Sequence, residues 1–214
     1  MDTSRIQHLI EDGLAAMRLA EPAGLAVALS AYIALLEKWN QAYNLTAVRV
    51  PEEMVPRHIM DSLVLLPFLA AGRVLDVGTG AGLPGLVLAL ARPGQDFVLL
   101  DASGKKTRFV EHAAERLGLK NVTVVKSRVE EHDDPEGFAM VVTRAFASIA
   151  DIIRAAGRQL RPGGVMLVMK GSFPEDELLA LPPGWRLQAV HRLKVPGLRA
   201  ERHLLEFCRE EDAK

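Results

Sequence analysis

The sequence predicts an α/β protein with a Rossmann-like, seven-stranded sheet and an N-terminal helical extension. From Arg73 onward, short apolar runs of strand length alternate with segments whose apolar residues recur at helical spacing. This alternation is typical of a parallel sheet covered by helices. Residues 1–72 show helical spacing alone. The last two apolar runs, 186–195 and 203–209, are predicted to close the sheet as an antiparallel pair.

Local patterns then predict each element in turn. Two helices are separated at Glu21-Pro22, and a third begins at Pro51 and continues towards Leu69. A turn is expected over Arg161-Pro162-Gly163-Gly164, before the fifth strand. The five parallel strands are expected at residues 74–77, 97–100, 122–126, 140–143 and 165–169. We therefore predict a helical extension over 1–72, a sheet domain over 73–209 and a disordered tail over 210–214.

Composition is that of an ordinary globular protein. Of the 214 residues, 49% are apolar and 25% are charged. No apolar run approaches the ~20 residues that a membrane span requires. A single cysteine, Cys208, excludes an internal disulfide, and no Cys and His cluster has the spacing of zinc ligands. We expect a cytoplasmic monomer that binds no metal and does not enter the membrane.

The most informative segment is the loop between Asp76 and Gly85, which joins a predicted strand to a predicted helix. A glycine-dense turn at this point presents backbone N–H groups to a nucleotide-like ligand. Gly80, Gly82 and Gly85 satisfy the dinucleotide spacing G-x-G-x-x-G. Asp76 followed by Gly78, Gly80 and Gly82 also satisfies the acid-x-G-x-G-x-G pattern of class I methyltransferases, which use S-adenosylmethionine (AdoMet).

The acid favours AdoMet as the ligand of this loop. A carboxylate at the mouth of the loop repels a pyrophosphate but attracts the sulfonium and α-ammonium groups of AdoMet. Asp101 ends the second strand, where an acid accepts hydrogen bonds from both ribose hydroxyls or else stabilises the next helix N-terminus. An oxidoreductase that binds NAD(P) is the alternative. An AdoMet-binding module without turnover is a third interpretation.

Two more residues follow predicted strands at the same edge of the sheet. Glu130 lies where class I methyltransferases meet the adenine, unless it is a surface acid. Arg144 follows the fourth strand, where methyl donor and acceptor meet. An arginine at that position holds a carboxylate or phosphate bidentately, or forms a structural ion pair.

Two features that the sequence lacks limit the kinds of methyl acceptor that we expect. Methylation of an exocyclic amine usually goes with a Pro-Pro-aromatic motif after the fourth strand, which this chain lacks. Pyrimidine C5 methylation requires a cysteine nucleophile, and Cys208 lies in an apolar strand typical of a core residue. An acceptor with its own lone pair remains, such as guanine N7 or a small-molecule nucleophile. Catalysis would then rest on alignment and electrostatic support.

The net charge of −1 differs from the strongly basic charge that is typical of a nucleic-acid-binding protein. Basic residues nevertheless concentrate in two patches, one over residues 186–209 and one after Ser103. A charge run is commonly a solvated face, so any contact with RNA has to come from such patches. In these patches the candidate RNA-binding residues are Lys105, Lys106, Arg199 and Arg202.

Beyond these patterns, the chain resembles the bacterial glucose-inhibited division protein B family, the 16S ribosomal RNA guanine-N7 methyltransferases. The matching segments occur in family order and cover nearly the whole chain. The most specific are the Arg-His-x-x-Asp-Ser-Leu element and the Arg-Ala-Phe-Ala element. The segments are 44–47, 57–63, 76–85, 99–102, 104–106, 127–131, 143–147, 170–171 and 201–204.

The resemblance implies an AdoMet-dependent enzyme that methylates N7 of a guanosine in small-subunit RNA. It implies AdoMet contacts at Gly78, Leu83, Val129, Glu130 and Arg144. It also implies that Lys170 and Arg202 face the RNA or the reaction centre. His58 is either a satisfied helix histidine or, with Arg57 and Asp61, part of a site-facing element. The candidate catalytic residues are therefore Arg144, Lys170 and His58, and the full set for AdoMet is Asp76, Gly78, Gly80, Gly82, Leu83, Asp101, Val129, Glu130 and Arg144.

Overall fold

A computed structural model describes residues 2–18, 22–144 and 147–212. Its centre is a seven-stranded sheet in the order β3-β2-β1-β4-β5-β7-β6. The first five strands are parallel, and β7 runs antiparallel to both β5 and β6. The predicted α/β class and the antiparallel closing pair are thus confirmed. The strands are β1 Val74–Val77, β2 Phe97–Asp101, β3 Val122–Lys126, β4 Phe138–Thr143, β5 Leu160–Lys170, β6 Trp185–Arg192 and β7 His203–Arg209.

The sheet carries helices on both faces because its central strands are apolar on both sides. Every residue of β2 and of β4 is buried, as expected of strands that lie between two helical layers. The chain order explains the layers, since a helix lies in the crossovers from β1 to β2, from β2 to β3 and from β4 to β5. The helices of this region are α5 Gly85–Ala91, α6 Gly104–Arg116, α7 Ile149–Ala156 and α8 Glu175–Leu178, with a 3₁₀ turn at Gly157–Gln159.

The fifth strand begins earlier than the sequence predicts. β5 starts at Leu160, and residues 161–164, where we expect a turn, lie within the strand. The pairing steps from Phe138–Leu160 to Met140–Val165, so the extra residues form a bulge against β4. Gly163 lies in this bulge at φ +74°, a conformation that glycine adopts without the usual steric cost.

The N-terminal extension is helical, but its third helix is not regular. It consists of the helices α1 Thr3–Met17 and α2 Leu25–Tyr43, followed by α3 Pro51–Met54, a π-helical segment Val55–Met60, α4 Asp61–Leu63 and a 3₁₀ turn Leu66–Phe68. The single helix predicted from Pro51 towards Leu69 is therefore wrong in detail. Pro56 lacks the N–H group that a regular helix requires, and the backbone N–H of Asp61 reaches back to the carbonyl of Pro56, one residue further than in an α-helix.

The helical extension shares its core with one face of the sheet. Buried residues of α1 and α2, among them Ile10 and Tyr32, belong to one apolar cluster with α5, α6 and the adjoining strand face. A second cluster fills the other face beneath α7. The helices thus form a layer of the fold, and the division at residue 72 stays a prediction.

Three residues of the predicted tail, 210–212, lie within the described ranges. Glu210–Asp212 form a 3₁₀ turn, and the Glu210 amide donates to the Gly184 carbonyl at 2.9 Å. The disordered tail stays a prediction, and residues 213 and 214 lie outside the described ranges. Among the helices that the structure describes, none is both long and apolar enough to cross a membrane.

Candidate functional site

The predicted site residues follow the carboxyl ends of neighbouring parallel strands. The strand order reverses between β1 and β4, because β2 and β3 lie to one side of β1 and β4 and β5 to the other. In open α/β sheets, ligands bind at such a switch point, outside the carboxyl ends of the strands. The glycine loop follows β1 at this point, and Arg144 follows β4 beside it.

The glycines of the loop divide into two kinds. Gly78, Gly80 and Gly82 all have positive φ, at 71°, 61° and 83°. A Cβ added at Gly78 would meet nothing within 4 Å, and one at Gly80 only the Gly78 carbonyl at 3.8 Å. A Cβ at Gly82 or Gly85 would instead clash with packed side chains. The first two glycines therefore leave backbone open to a ligand, and the last two permit close packing, Gly82 against Leu86 of α5 and Gly85 against the sheet.

Asp76 lies beneath the loop rather than at its mouth. Its Oδ2 accepts hydrogen bonds from the Thr79 hydroxyl at 2.6 Å and from the Gly85 amide at 2.8 Å. Burial raises the pKa of Asp76 to about 6, against the lowering effect of those two hydrogen bonds. Oδ1 is buried and has no hydrogen-bond partner among the described residues. The carboxylate thus holds both ends of the loop and keeps one oxygen without a protein partner.

Asp101 joins the loop to the start of α6. Its Oδ2 accepts from the Gly80 amide at 3.0 Å, and its Oδ1 accepts from the Ser103 amide at 2.8 Å. The Lys106 ammonium lies 3.5 Å from Oδ2, whereas the neighbouring Lys105 is exposed. Asp101 therefore stabilises the start of the helix, one of the two roles predicted, and it does so at the border of the open glycines.

The other residues predicted to hold the cofactor lie in less polar surroundings. Leu83 is buried, at 5% exposure, and Val129 is buried with its carbonyl held by the Gln159 amide at 3.1 Å. Glu130 is exposed, and its backbone carbonyl accepts from Arg158 at 2.7 Å. The backbone after β3 is therefore fixed by side chains from the segment before β5, while the Glu130 carboxylate is left in solvent.

Arg144 and Arg202 share one buried carboxylate. Asp61 is 1% exposed; its Oδ2 accepts from Arg144 Nη1 at 3.1 Å and its Oδ1 from Arg202 Nε at 2.7 Å. Each arginine side chain is about a quarter exposed, at 26% and 23%. The ion pair considered for Arg144 in the sequence thus exists, and it also places Arg202 at the carboxyl edge. Ala145 and Phe146, which complete the Arg-Ala-Phe-Ala element, lie outside the described residues.

His58 is buried in the π-helical segment with both ring nitrogens engaged. Nε2 lies 2.8 Å from the Thr46 hydroxyl and Nδ1 lies 2.9 Å from the Arg57 carbonyl. Burial, aided by the positive charge of Arg144, lowers the pKa of His58 to about 4. The imidazole is therefore neutral near pH 7, with Nδ1–H donating to Arg57 and Nε2 accepting from Thr46. This is the arrangement of a satisfied helix histidine.

Lys170 is paired rather than presented to a ligand. Its ammonium lies 2.9 Å from both carboxylate oxygens of Glu177 and donates to the Ala147 carbonyl at 3.0 Å. Glu177 also accepts from the Ile149 amide at 2.7 Å, at the start of α7. Arg199 lies apart from this cluster and is exposed in the β6–β7 connection. The structure thus brings together Asp76, Asp101, Arg144 and Arg202, and leaves Lys105 and Arg199 at the surface.

Two contributors to the site carry no signal in the sequence. The Tyr32 hydroxyl, in the middle of α2, donates to the Ala81 carbonyl of the glycine loop at 2.7 Å. Burial raises the pKa of this phenol above its usual range, so it stays a donor. Glu177 lies in a short acidic stretch that has the composition of a solvated surface. Tyr32 is part of an apolar helical stripe, and only its distant partner distinguishes it from a core residue.

Comparison with known proteins identifies a family. Residues 26–205 match the GidB family model, described as rRNA small subunit methyltransferase G. A protein of Stenotrophomonas maltophilia (strain K279a), named ribosomal RNA small subunit methyltransferase G, is 49% identical over 196 residues, covering 92% of each chain. A protein of the same name from Xanthomonas euvesicatoria pv. vesicatoria (strain 85-10) is 48% identical over 200 residues, covering 94% of this chain and 93% of the relative.

Solved structures agree on the fold. The crystal structure of precorrin-6y C5,15-methyltransferase from Geobacter metallireducens GS-15 superposes with a TM-score of 0.53 at 16% identity, covering 70% of this chain and 86% of that one. This likeness concerns the sheet and its helices, and it identifies the class I methyltransferase fold. With a family model that covers most of the chain and relatives close to half identical, the chain belongs to the rRNA small subunit methyltransferase G (GidB) family.

Proposed function

We propose that this protein transfers a methyl group from AdoMet to N7 of a guanosine in the 16S RNA of the small ribosomal subunit. The observation that carries the proposal is the glycine loop at the switch point of the sheet, open at Gly78 and Gly80 and flanked by Arg144. Family membership supports the class of reaction, because the relatives are named as methyltransferases of small-subunit ribosomal RNA. We also propose that it acts in the cytoplasm, as a monomer.

The residues present fit AdoMet. The open side of Gly78 and Gly80 accepts a ligand against backbone, and the buried Asp76 Oδ1 is an acceptor without a described partner. Asp101 lies where a ribose would meet it and keeps lone pairs beyond its two amide contacts. When bound, AdoMet supplies an electrophilic methyl group. The residues that would hold it are Asp76, Gly78, Gly80, Gly82, Leu83, Asp101, Val129, Glu130 and Arg144.

Methylation of the proposed acceptor atom, guanine N7, requires little acid–base chemistry from the protein. Guanine N7 has a lone pair and no proton, so it needs no general base to act as a nucleophile. His58, a candidate catalytic residue from the sequence, has both ring nitrogens occupied within the protein. We therefore assign His58 to the support of the site, and catalysis to alignment and electrostatics.

Positive charge at the carboxyl edge suits a polyanionic substrate. The cluster of Asp61 with Arg144 and Arg202 carries one net positive charge, and both guanidinium groups reach solvent. Ion pairing leaves Lys170 neutralised by Glu177, so we give it a smaller share of RNA binding than Arg202. Exposed Lys105 and Arg199 would contact RNA phosphates at the rim.

The oxidoreductase alternative rests on the spacing of Gly80, Gly82 and Gly85 alone. Asp76 and Asp101 both carry their negative charge beside this loop, which is unfavourable for a dinucleotide pyrophosphate. Calorimetric titration with AdoMet and with NADH separates the two ligands, and we expect heat of binding with AdoMet only. Tighter binding of NADH would contradict the proposal.

The decisive experiment is transfer of labelled methyl from AdoMet to small ribosomal subunits, with free nucleotides and unrelated RNA in parallel. We expect label in 16S RNA that co-migrates with 7-methylguanosine after digestion. AdoMet binding without label in any RNA would sink the assignment of the substrate and leave the cofactor in place. It would also favour a binding module or a small-molecule acceptor.

A matched pair of glycine variants tests the site itself. Gly78 and Gly163 have nearly equal φ, at +71° and +74°, and a Cβ at either would meet no protein atom within 4 Å. Gly78→Ala and Gly163→Ala therefore share the same backbone strain, and only the first places a methyl group in the proposed ligand space. We expect Gly78→Ala to weaken AdoMet binding at least tenfold more than Gly163→Ala does. Equal losses would place the ligand elsewhere.

A further inference from the structure

The Asp61 carboxylate connects three distant parts of the chain at the proposed site. It comes from the N-terminal extension, while Arg144 follows β4 and Arg202 precedes β7. These partners are 83 and 141 residues away in sequence. Each carboxylate oxygen takes one guanidinium group, and the Asp61 side chain is only 2% exposed. One buried charge thus lies between two partly exposed charges of opposite sign.

Neither guanidinium group uses all of its N–H donors in these contacts. Arg144 also donates from Nη1 to the Arg57 carbonyl at 3.4 Å, and Arg202 donates from Nη1 to the Glu201 carbonyl at 2.8 Å. Across the described ranges, Nη2 of neither arginine forms a hydrogen bond. A guanidinium group has five N–H donors, so both side chains retain donors for ligands after Asp61 has been satisfied.

The backbone that carries Asp61 is held in place by its own contacts. The Ser62 hydroxyl donates to the His58 carbonyl at 2.6 Å, and the His58 ring is fixed by Thr46. The Asp61 amide bonds back into the π-helical segment. π-Helical turns within helices frequently occur at functional sites. This one places a carboxylate where a regular helix through Pro56 would not.

We propose that Asp61 is a positioning residue for methyl transfer, which fixes the guanidinium group of Arg144 relative to that of Arg202. Resting on the proposed function, this inference gives Arg144 to the cofactor side of the site and Arg202 to the RNA side. Asp61 then aligns the two substrates without touching either. Two like charges this close repel each other, and the shared carboxylate keeps them together.

The physical argument yields a specific signature. Asp61→Asn keeps the size of the side chain and one carbonyl acceptor but removes the charge, so the two guanidinium groups separate. The local charge becomes more positive by one, so affinity for an RNA polyanion should hold or rise while alignment is lost. A purely structural role would instead lower binding and turnover together.

The test compares Asp61→Asn with Asp134→Asn in the full-length protein. Asp134 is also a poorly exposed carboxylate paired with an arginine, Arg73 at 2.8 Å, but it lies at the opposite edge of the sheet. For Asp61→Asn we expect kcat on small subunits to fall tenfold to a hundredfold, roughly the scale of a misplaced catalytic group. Dissociation constants for AdoMet and for RNA should change less than threefold. Asp134→Asn should keep kcat within twofold.

A double variant separates positioning from general damage. If Asp61 acts through the arginines, Asp61→Asn combined with Arg202→Ala loses no more turnover than Arg202→Ala alone, because coupled residues are not additive. Additive losses would overturn the proposal. So would a kcat of wild-type size for a folded Asp61→Asn protein, or an effect confined to AdoMet affinity.

One measurement tests the positioning role of Asp61 without an activity assay. The ¹⁵N-labelled Nε–H resonance of Arg202 reports its 2.7 Å hydrogen bond to Asp61, and we expect it to shift in Asp61→Asn and not in Asp134→Asn. An unmoved resonance contradicts the positioning role. If the wild-type protein methylates an acceptor other than subunit RNA, the proposed function fails, and the same kcat comparison on that acceptor decides the role of Asp61.

Discussion

The two edges of the sheet carry arginine–carboxylate clusters of opposite stoichiometry. At the carboxyl edge, one carboxylate, Asp61, is shared by Arg144 and Arg202. At the amino edge, one guanidinium group, Arg73, is shared by Asp134 at 2.8 Å and Glu136 at 3.2 Å. The first cluster has an excess positive charge and the second an excess negative charge.

Their surroundings differ as well. Arg73 stacks on the Phe138 ring at 4.8 Å and closes the start of β1 against the segment before β4. The carboxyl edge instead combines open glycine backbone, a neutral buried histidine and a carboxylate oxygen without a described partner. A concavity of about 660 Å³ lies at the amino edge, lined by Leu69–Arg73 and Ala91–Asp96, away from every residue assigned to the site. Charge and exposed backbone, rather than cavity size, therefore distinguish the edge that we expect to bind.

The largest expected difference between the two edges is in turnover. Arg144→Ala removes the guanidinium group that follows β4 at the carboxyl edge, and we expect methyl transfer to small subunits to fall about a hundredfold or more. Arg73→Ala breaks an ion pair of similar kind at the amino edge, and its transfer rate per folded molecule should stay within threefold of wild type. Initial rates with labelled AdoMet measure both. An Arg144→Ala protein as active as wild type would assign Arg144 to structure.

The next difference is in the pH dependence of stability. The pKa of His58 is about 4 in the folded protein and 6.5 when unperturbed. The unfolded state therefore binds the proton more readily, and the free energy of unfolding rises by up to about 3 kcal/mol as pH rises from 4 to 6.5. Asp76 contributes with the opposite sign, since its raised folded pKa makes its contribution fall as pH rises from 3.8 through 6.

Comparing wild type with a His58 variant separates the contribution of His58 to stability from that of Asp76. The difference in unfolding free energy between wild type and His58→Gln cancels Asp76 and should grow across pH 4 to 6.5, as measured by urea denaturation. Arg73 lowers the pKa of Asp134, so the Asp134 contribution is lost only at lower pH. The same difference for Asp134→Asn should therefore be nearly flat in this range. Parallel curves for wild type and His58→Gln would refute the neutral buried histidine.

A smaller difference, in AdoMet affinity, is expected between acidic residues near the two ends of β2. Asp101→Ala should weaken AdoMet binding by ~1–3 kcal/mol, because it removes an acceptor from a partly buried polar site. Asp96, which directly precedes the same strand, is exposed, and Asp96→Ala should leave AdoMet affinity unchanged. Isothermal titration calorimetry gives both values. Unchanged affinity in Asp101→Ala would remove this residue from the site.

The smallest expected effect concerns the helical extension. Tyr32→Phe removes the buried hydroxyl that donates to the Ala81 carbonyl, and we expect AdoMet binding to weaken by about 1 kcal/mol. Tyr43 is 40% exposed and stacks on Trp39 at 5.2 Å, so Tyr43→Phe serves as the control. If both phenylalanine variants bind AdoMet equally well, α2 supports the loop by packing alone.

Prediction from sequence succeeded where structure depends on neighbours in the chain. Strands β1 and β3 lie at the predicted residues, because short runs rich in β-branched residues favour extended backbone. It failed at Pro56, where a missing donor changes the helix type, and at β5, where the predicted turn is absorbed as a bulge. At both places the local sequence is compatible with two backbone conformations, and tertiary packing determines which one forms.

The sequence alone determined the class of fold, the position of the glycine loop and the residues that gather after the parallel strands. These depend on periodicity, on the conformational freedom of glycine and on the rule that parallel strands end at one edge. Only the tertiary structure decided which charges pair. Lys170 is neutralised by Glu177, Asp76 lies beneath its loop, and Asp61 joins two arginines from separate parts of the sheet domain. Ion pairing acts between groups that are close in space, and no local pattern encodes contacts across 83 or 141 residues.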